Sequence, residues 1–238
     1  MNIAVVLVEP AGPLNLGSVA RLCANFGVDS LRLVNPRCDV LAEDAVRMAV
    51  HAATLLRNAS IHKDLESAIS DRRRVIATCG RLDHGAIPLQ TPEDGLNWLL
   101  AGDAASALVF GREDRGLTND ELRLCQRVVT LHSQESYPSL NLSHAVAVVL
   151  HELARQQQQN TATQRDDPDP ASAPQLSALL DDASELLLEA GFLLPHTSAA
   201  RMAKVRNLLQ RAACRTEEVA MLRGMVRQLR WAVRAERS

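Results

Sequence analysis

No Cys-x-x-Cys pair occurs among the five cysteines, Cys23, Cys38, Cys79, Cys125 and Cys214. An odd, scattered set fits neither a disulfide framework nor a structural zinc site, so reduced thiols are expected. Long apolar runs are missing too: stretches such as 145–150 end at charged or polar residues, far short of the ~20 residues that span a bilayer. The first nine residues lack the basic start and small-residue cleavage site of a signal peptide, and a cytoplasmic protein without membrane contact is the expectation. Neither a Walker A sequence nor Gly-x-Gly-x-x-Gly is present, which removes support for those two phosphate cradles. Internal repeats are absent. So is a strong net charge, since 26 basic against 28 acidic side chains leave −2 over 238 residues.

What is present is a composition close to that of soluble globular proteins, 47% hydrophobic and 23% charged. The segment 156–174, QQQQNTATQRDDPDPASAP, has almost no apolar residues and reads as a flexible linker. Charge changes sign across it. Residues 199–238 carry ten basic and three acidic side chains, a net +7 against −9 for the remainder. The near-neutral total therefore conceals a basic tail on an acidic body.

Before the linker, runs rich in Val, Ile and Leu predict strands over 3–8, 30–34, 74–78, 107–110 and 128–131. Helical patterns separate them over 16–26, 42–57, 65–70, 92–100, 119–125 and 140–158. Apolar strands alternating with helices predict an α/β domain over 1–155, built on a parallel sheet covered on both faces. After the linker, 175–238 reads as wholly helical, with helices over 174–190, 198–214 and 216–234. Thr216, Glu217 and Glu218 form a capped helix start. The arginines of this extension fit either an amphipathic hairpin with a solvated face or a surface for RNA.

Three stretches lie where an open α/β sheet binds ligands, beyond the carboxyl ends of strands. Pro13 to Arg21 follows the first strand and presents Asn15 as a helix N-cap, Gly17 as a point of close approach, and Arg21 about one turn further on. Phe110-Gly111-Arg112-Glu113-Asp114-Arg115-Gly116 makes a tight loop with backbone groups free for a polar ligand. Tyr137 to Ala145 opens a long helix with Ser139 and Asn141, near unpaired backbone N–H groups. Each stretch alone has a plain structural reading: a capped helix with a surface arginine, an ordinary turn with helix-capping Thr118 and Asn119, and a serine cap on a buried helix.

Together, and in this order, Asn15 to Arg21, Phe110 to Gly116 and Ser139 to Ser143 resemble the three signature motifs of the SPOUT RNA methyltransferases, in the TrmH-like branch. Val8-Glu9 closing the first strand, Leu33-Val34-Asn35-Pro36, Leu117 to Leu122, Gly191-Phe192 and Leu222-Arg223-Gly224 extend the likeness toward TrmJ-type enzymes, which methylate the ribose 2′-hydroxyl at tRNA position 32. The resemblance implies a C-terminal trefoil knot, which periodicity alone does not suggest. It also implies S-adenosylmethionine bound by Thr78, Cys79, Gly80, Gly111, Arg112, Leu131, Ser139, Leu140 and Asn141. Cys79 and Gly80 stand where some relatives have serine and alanine, a small-for-small exchange. His132, His144 and His151 match no catalytic position of the family.

The implied chemistry is attack of a ribose oxygen on the sulfonium methyl group, with Arg21, Asn15, Glu113, Ser139 and Asn141 around the reacting oxygen. A guanidinium keeps its proton in proteins, so Arg21 is expected to act through charge and hydrogen bonding rather than as a base. No metal is called for. The family's shared sites imply a homodimer in which Arg21 comes from the partner, and Arg201, Arg206 and Arg211, with Arg21, are expected to meet tRNA. The motifs encode ribose chemistry rather than the target. Methylation of rRNA or another tRNA position, or a noncatalytic RNA-binding protein of the same fold, are the alternatives.

Overall fold

The computed structural model describes residues 2–80, 88–131, 134, 139–160 and 169–235. The chain divides into two compact units, Met1–Asp167 and Pro168–Ser238. In the first, β1 (Ile3–Val8), α1 (Pro13–Asn25), β2 (Ser30–Val34), α2 (Glu43–Ala49), α3 (Ala53–Arg57), β3 (Ser60–His62), α4 (Leu65–Ile69) and β4 (Arg74–Thr78) are followed by β5 (Leu89–Gln90), α5 (Pro92–Leu100), β6 (Ser106–Phe110), α6 (Asn119–Arg123), β7 (Arg127–Val129) and α7 (Leu142–Asn160).

The expected parallel α/β sheet is present, with the order β3-β2-β1-β6-β4-β7-β5 and every pairing parallel. All six residues of β1 are buried, as a strand covered on both faces requires. Leu7 sits opposite Leu33 on β2 and Phe110 on β6. With Leu16 and Val19 of α1 and Val146, Val149, Leu150 and Leu153 of α7, these residues form the core, each large side chain contributing roughly 1.5–3 kcal/mol by leaving water.

Two strands escape the sequence pattern. β3 and β5 are three and two residues long, too short to display a period, and they close the two edges of the sheet. The expected strand 128–131 instead begins at Arg127 and ends at Val129. The expected helix 42–57 is interrupted: α2 stops at Ala49, Val50 adopts φ 53°, and one 3-10 turn leads into α3. The apolar pattern runs across this break without a change of period, so it gives no warning.

Helix α1 begins earlier than expected. Pro13 occupies its first turn and Gly12 its N-cap position, an arrangement that exploits the proline's missing N–H. Asn15 is therefore not the cap, and its amide is free for other bonds. Gly17 marks close packing of α1 on α2, since a Cβ there would lie 2.2 Å from the Ala45 carbonyl oxygen. It serves helix packing rather than a ligand.

The segment expected as a linker over 156–174 loses both ends to structure. Gln156 is 2% exposed and its amide donates to the Glu93 carbonyl at 3.3 Å, so α7 continues past it. Glutamine is a good helix former, which a reading of the segment by polarity alone overlooks. At the other end, the Ala171 N–H donates to the Cys214 carbonyl at 2.7 Å, and Ala171 and Ala173 are buried in the second unit.

That unit contains α8 (Ala173–Glu189), α9 (Ser198–Ala212) and α10 (Thr216–Ala235). They meet around Leu176, Leu179, Leu180 and Val219, flanked by Met202, Val205, Leu209 and Val226. Ion pairs join α10 to α8: Arg223 to Asp182 at 2.8 Å, Arg230 to Glu185 and Glu189 at 2.6 Å each, and Arg234 to Glu189 at 2.7 Å. Hydrogen bonds from Arg234 and Arg230 hold the Glu189 carboxyl at about 2. Part of the tail's positive charge is thus neutralised within the unit.

Replacing Gly17 by alanine forces the α1 and α2 backbones apart. The variant is expected to lose about 1–3 kcal/mol of stability, read from its denaturant unfolding midpoint against the parent.

Candidate active site

Beyond the carboxyl ends of β4 and β6 lies a cavity of about 260 Å³. Thr78, Cys79 and Gly80 reach it from β4, residues 110–117 from β6, and Leu131, Ser139 and Leu140 from the chain leading to α7, with Leu142 and Ala145 on the helix itself. Eight of the nine residues expected to hold the cofactor line it; Asn141 lies outside the lining. Leu117, Leu131, Leu140 and Leu142 give it an apolar wall, and the 111–116 strap gives it a polar one.

The strap is a pinched hairpin. The Arg112 N–H donates to the Gly116 carbonyl at 3.3 Å and the Gly116 N–H returns a bond at 3.0 Å. A Cβ on Gly111 would lie 2.3 Å from the Gly116 carbonyl carbon, so only glycine permits the crossing. The Thr78 hydroxyl donates to the Val109 carbonyl at 3.2 Å, fixing β4 to β6 at the rim.

Glu113 leaves the strap toward α1. Its carboxylate accepts from the backbone N–H groups of Ala11 at 3.2 Å and Gly12 at 3.0 Å, and from the Asn15 amide at 3.4 Å. Glu113 thereby serves the helix start that Gly12, lacking a side chain, cannot cap. The Asn15 side-chain Oδ1 accepts from the Asn141 side-chain amide at 3.0 Å. In turn the Asn141 side-chain oxygen accepts from the Ser143 N–H at 2.9 Å and the Ser143 hydroxyl at 2.7 Å, capping α7. Asn15, Glu113 and Asn141, one from each motif, thus form a single hydrogen-bond chain.

Arg21 stands apart. It is exposed on α1, about 9 Å of helix rise beyond Asn15, and does not line its own chain's cavity. Among the described residues it has no hydrogen-bond or ion-pair partner. Arg112 departs from expectation in another way: although it lines the cavity, its guanidinium is engaged by Glu9 and Glu121 and is 8% exposed. Sequence reading missed these two carboxylates as site residues. Their signal was the acidic residue closing β1 and the capping pattern Thr118-Asn119-Asp120-Glu121.

His144 is exposed at the start of α7, and His151 meets the Phe26 ring edge-on, with centroids 6.4 Å apart. His132 lies outside the described residues. In the second unit, Arg201 lies over the Phe192 ring and donates to its carbonyl at 2.9 Å. Arg206 donates to the Ser177 hydroxyl at 3.3 Å, and Arg211 is exposed on α9.

Residues 2–151 match the SpoU rRNA methylase family, and residues 175–238 match the C-terminal domain of the tRNA methyltransferase TrmJ. The chain is 36% identical over 232 residues to the tRNA (cytidine/uridine-2′-O-)-methyltransferase TrmJ of Klebsiella pneumoniae, covering 94% of this chain and 95% of that one. The crystal structure of TrmJ from Z. mobilis superposes with a TM-score of 0.81 at 29% identity, covering 95% of this chain and 98% of that one. The AdoMet complex of the SpoU methyltransferase AviRb from Streptomyces viridochromogenes shares the fold, with a TM-score of 0.53 at 22% identity over 66% of this chain and 60% of that one. A cavity joined to three motif loops, on a sheet of this order, and a likeness that runs nearly end to end place the chain in the SpoU methylase family, among its TrmJ-type RNA ribose methyltransferases.

Proposed function

We propose that the chain methylates the ribose 2′-hydroxyl of nucleotide 32 in the tRNA anticodon loop, cytidine or uridine, using S-adenosylmethionine, as a cytoplasmic homodimer. The observation that carries this reading is the hydrogen-bond chain from Glu113 through Asn15 to Asn141, which ties the first motif to the two that line the cavity. The Klebsiella relative is named for cytidine and uridine 2′-O-methylation in tRNA.

The cavity's residues fit the cofactor. Leu117, Leu131 and Leu140 offer an apolar wall for a planar base, while Thr78, Ser139 and strap backbone groups offer polar partners. Thr78, Cys79, Gly80, Gly111, Leu131, Ser139 and Leu140 would hold it, with Asn141 fixing the start of α7 beside them. When bound, it supplies an activated methyl group and its own leaving group. The first unit is proposed to carry the C-terminal trefoil knot of the family. The strand order supports this, for β6 enters between β1 and β4, and β7 between β4 and β5.

The protein's task is to place the ribose oxygen and favour negative charge on it. Arg21 is the group proposed to do this, with Ser139 beside it and Asn15, Glu113 and Asn141 fixing the frame. An exposed guanidinium outside its own cavity suits a site completed by a second copy, and Leu14, Leu140 and Val148 expose apolar surface at 48%, 40% and 47% for such an interface. On α9, Arg201, Lys204 and Arg211 are exposed at helical spacing and are proposed to meet the RNA backbone, with Arg206 contributing less because it is turned toward α8.

Mass-spectrometric mapping of ribose methylation in a strain lacking the protein tests the assignment. Loss at tRNA nucleotide 32 alone is expected, and loss in rRNA or at another tRNA nucleotide would overturn the target. R21A is expected to bind S-adenosylhomocysteine as the parent does, yet show at least a hundredfold lower methyl transfer; full activity removes Arg21 from the mechanism. Alanine at Arg201 and Arg211 should weaken tRNA binding and make log affinity against log salt shallower by about one for each phosphate no longer neutralised. R206A alone should change that slope least.

A further inference from the structure

We propose that Arg112 is a positioning residue: its guanidinium, gripped by Glu9 and Glu121, sets the strap that shapes the cavity and aims Glu113 at α1. The inference rests on the cavity being the cofactor site proposed above, and it replaces direct cofactor binding by the Arg112 side chain.

The geometry joins three elements through one cation. Arg112 meets Glu121 with two parallel hydrogen bonds of 2.9 Å each. It also pairs with Glu9 at the end of β1, and donates to the Gly116 carbonyl at 3.2 Å across its own hairpin. The three side chains are 8%, 13% and 17% exposed for Arg112, Glu9 and Glu121, so water screens them poorly. The hydrogen bond from Arg112 is the largest influence holding the Glu9 carboxyl below its ordinary range.

Both carboxylates are themselves fixed. Glu121 also accepts from the Thr118 N–H at 2.7 Å in the capping box that starts α6. Glu9 has φ 46° and donates its N–H to the Val34 carbonyl at 2.7 Å. Arg37 pairs with the same Glu9 carboxylate, and Arg115 lies 3.6 Å from it, so its charge remains partly balanced when Arg112 is altered.

Adjacent residues of the strap face opposite ways: Arg112 toward Glu9 and Glu121, and Glu113 toward Ala11, Gly12 and Asn15. Fixing one side fixes the other. Loosening Arg112 therefore changes the cavity wall and the frame around Asn15 while leaving the core intact. Lysine keeps the charge but cannot make two parallel bonds to one carboxylate and still reach a second. Glutamine at 121 can keep the capping box through its amide oxygen, while removing the charge and one of the two acceptors that Arg112 grips.

The test compares the parent, R112K, R112A, E121Q and R112A/E121Q by calorimetric binding of S-adenosylhomocysteine, by kcat and KM for tRNA, and by thermal melting. R112K and E121Q are expected to bind S-adenosylhomocysteine and turn over about tenfold less well, with KM for tRNA unchanged and melting well above assay temperature. The double variant should be no worse than R112A, because both break the same ion pair. If E121Q binds like the parent while R112K and R112A lose affinity, Arg112 touches the cofactor and the proposal fails. It fails equally if melting falls while affinity and kcat hold. A parent that neither binds S-adenosylhomocysteine nor methylates tRNA would overturn the function proposed above and this inference together, an outcome distinct from variant failure alone.

Discussion

The carboxylate of Glu113 makes the interaction on which the site depends. It reaches across the end of the sheet and takes two backbone N–H groups at the start of α1 together with the Asn15 amide. A charged acceptor serving several donors at once is among the stronger polar arrangements available to a protein. Because Asn15 passes the connection to Asn141, the cap of α7, the entries to two neighbouring helices are set by one side chain on a third segment. Around this frame, the opposite face of the strap is held by ions rather than amides, so the cavity wall is fastened from both sides.

Much of the fold could be read from the residues because their needs were local. β1 is an unbroken aliphatic run, and α5 begins at Pro92 behind Thr91, whose hydroxyl accepts from the Asp94 N–H at 3.1 Å. What could not be read depends on distant partners. Asn15 looks like a cap until Gly12 and Pro13 take the helix start and Glu113, about a hundred residues on, takes its amide. Arg112 looks like a ligand residue until Glu9 arrives from the end of the neighbouring strand, β1. The short edge strands and the turn at Val50 belong to the same class, being decided by neighbours in space.

The second unit shows how composition can mislead about surface. A count of basic residues describes the extension as an RNA grip, yet Arg223, Arg230 and Arg234 face the acids of α8. Such exposed pairs contribute modestly to stability, and they also take charge out of the field seen by a polyanion. What remains outward on α9 is a narrower set, Arg201, Lys204 and Arg211.

The place of β1 in the sheet bears on how the chain is made. It pairs on one side with β2, a little over twenty residues later, but on the other with Ser106–Phe110. At ribosomal speeds of roughly 5–20 residues per second, an aliphatic strand with one unsatisfied edge waits about 5–20 s for its second neighbour to be synthesised. That edge of β1 stays open to non-native pairing until the sixth strand emerges, and an edge of β4 stays open later still, until β7 follows.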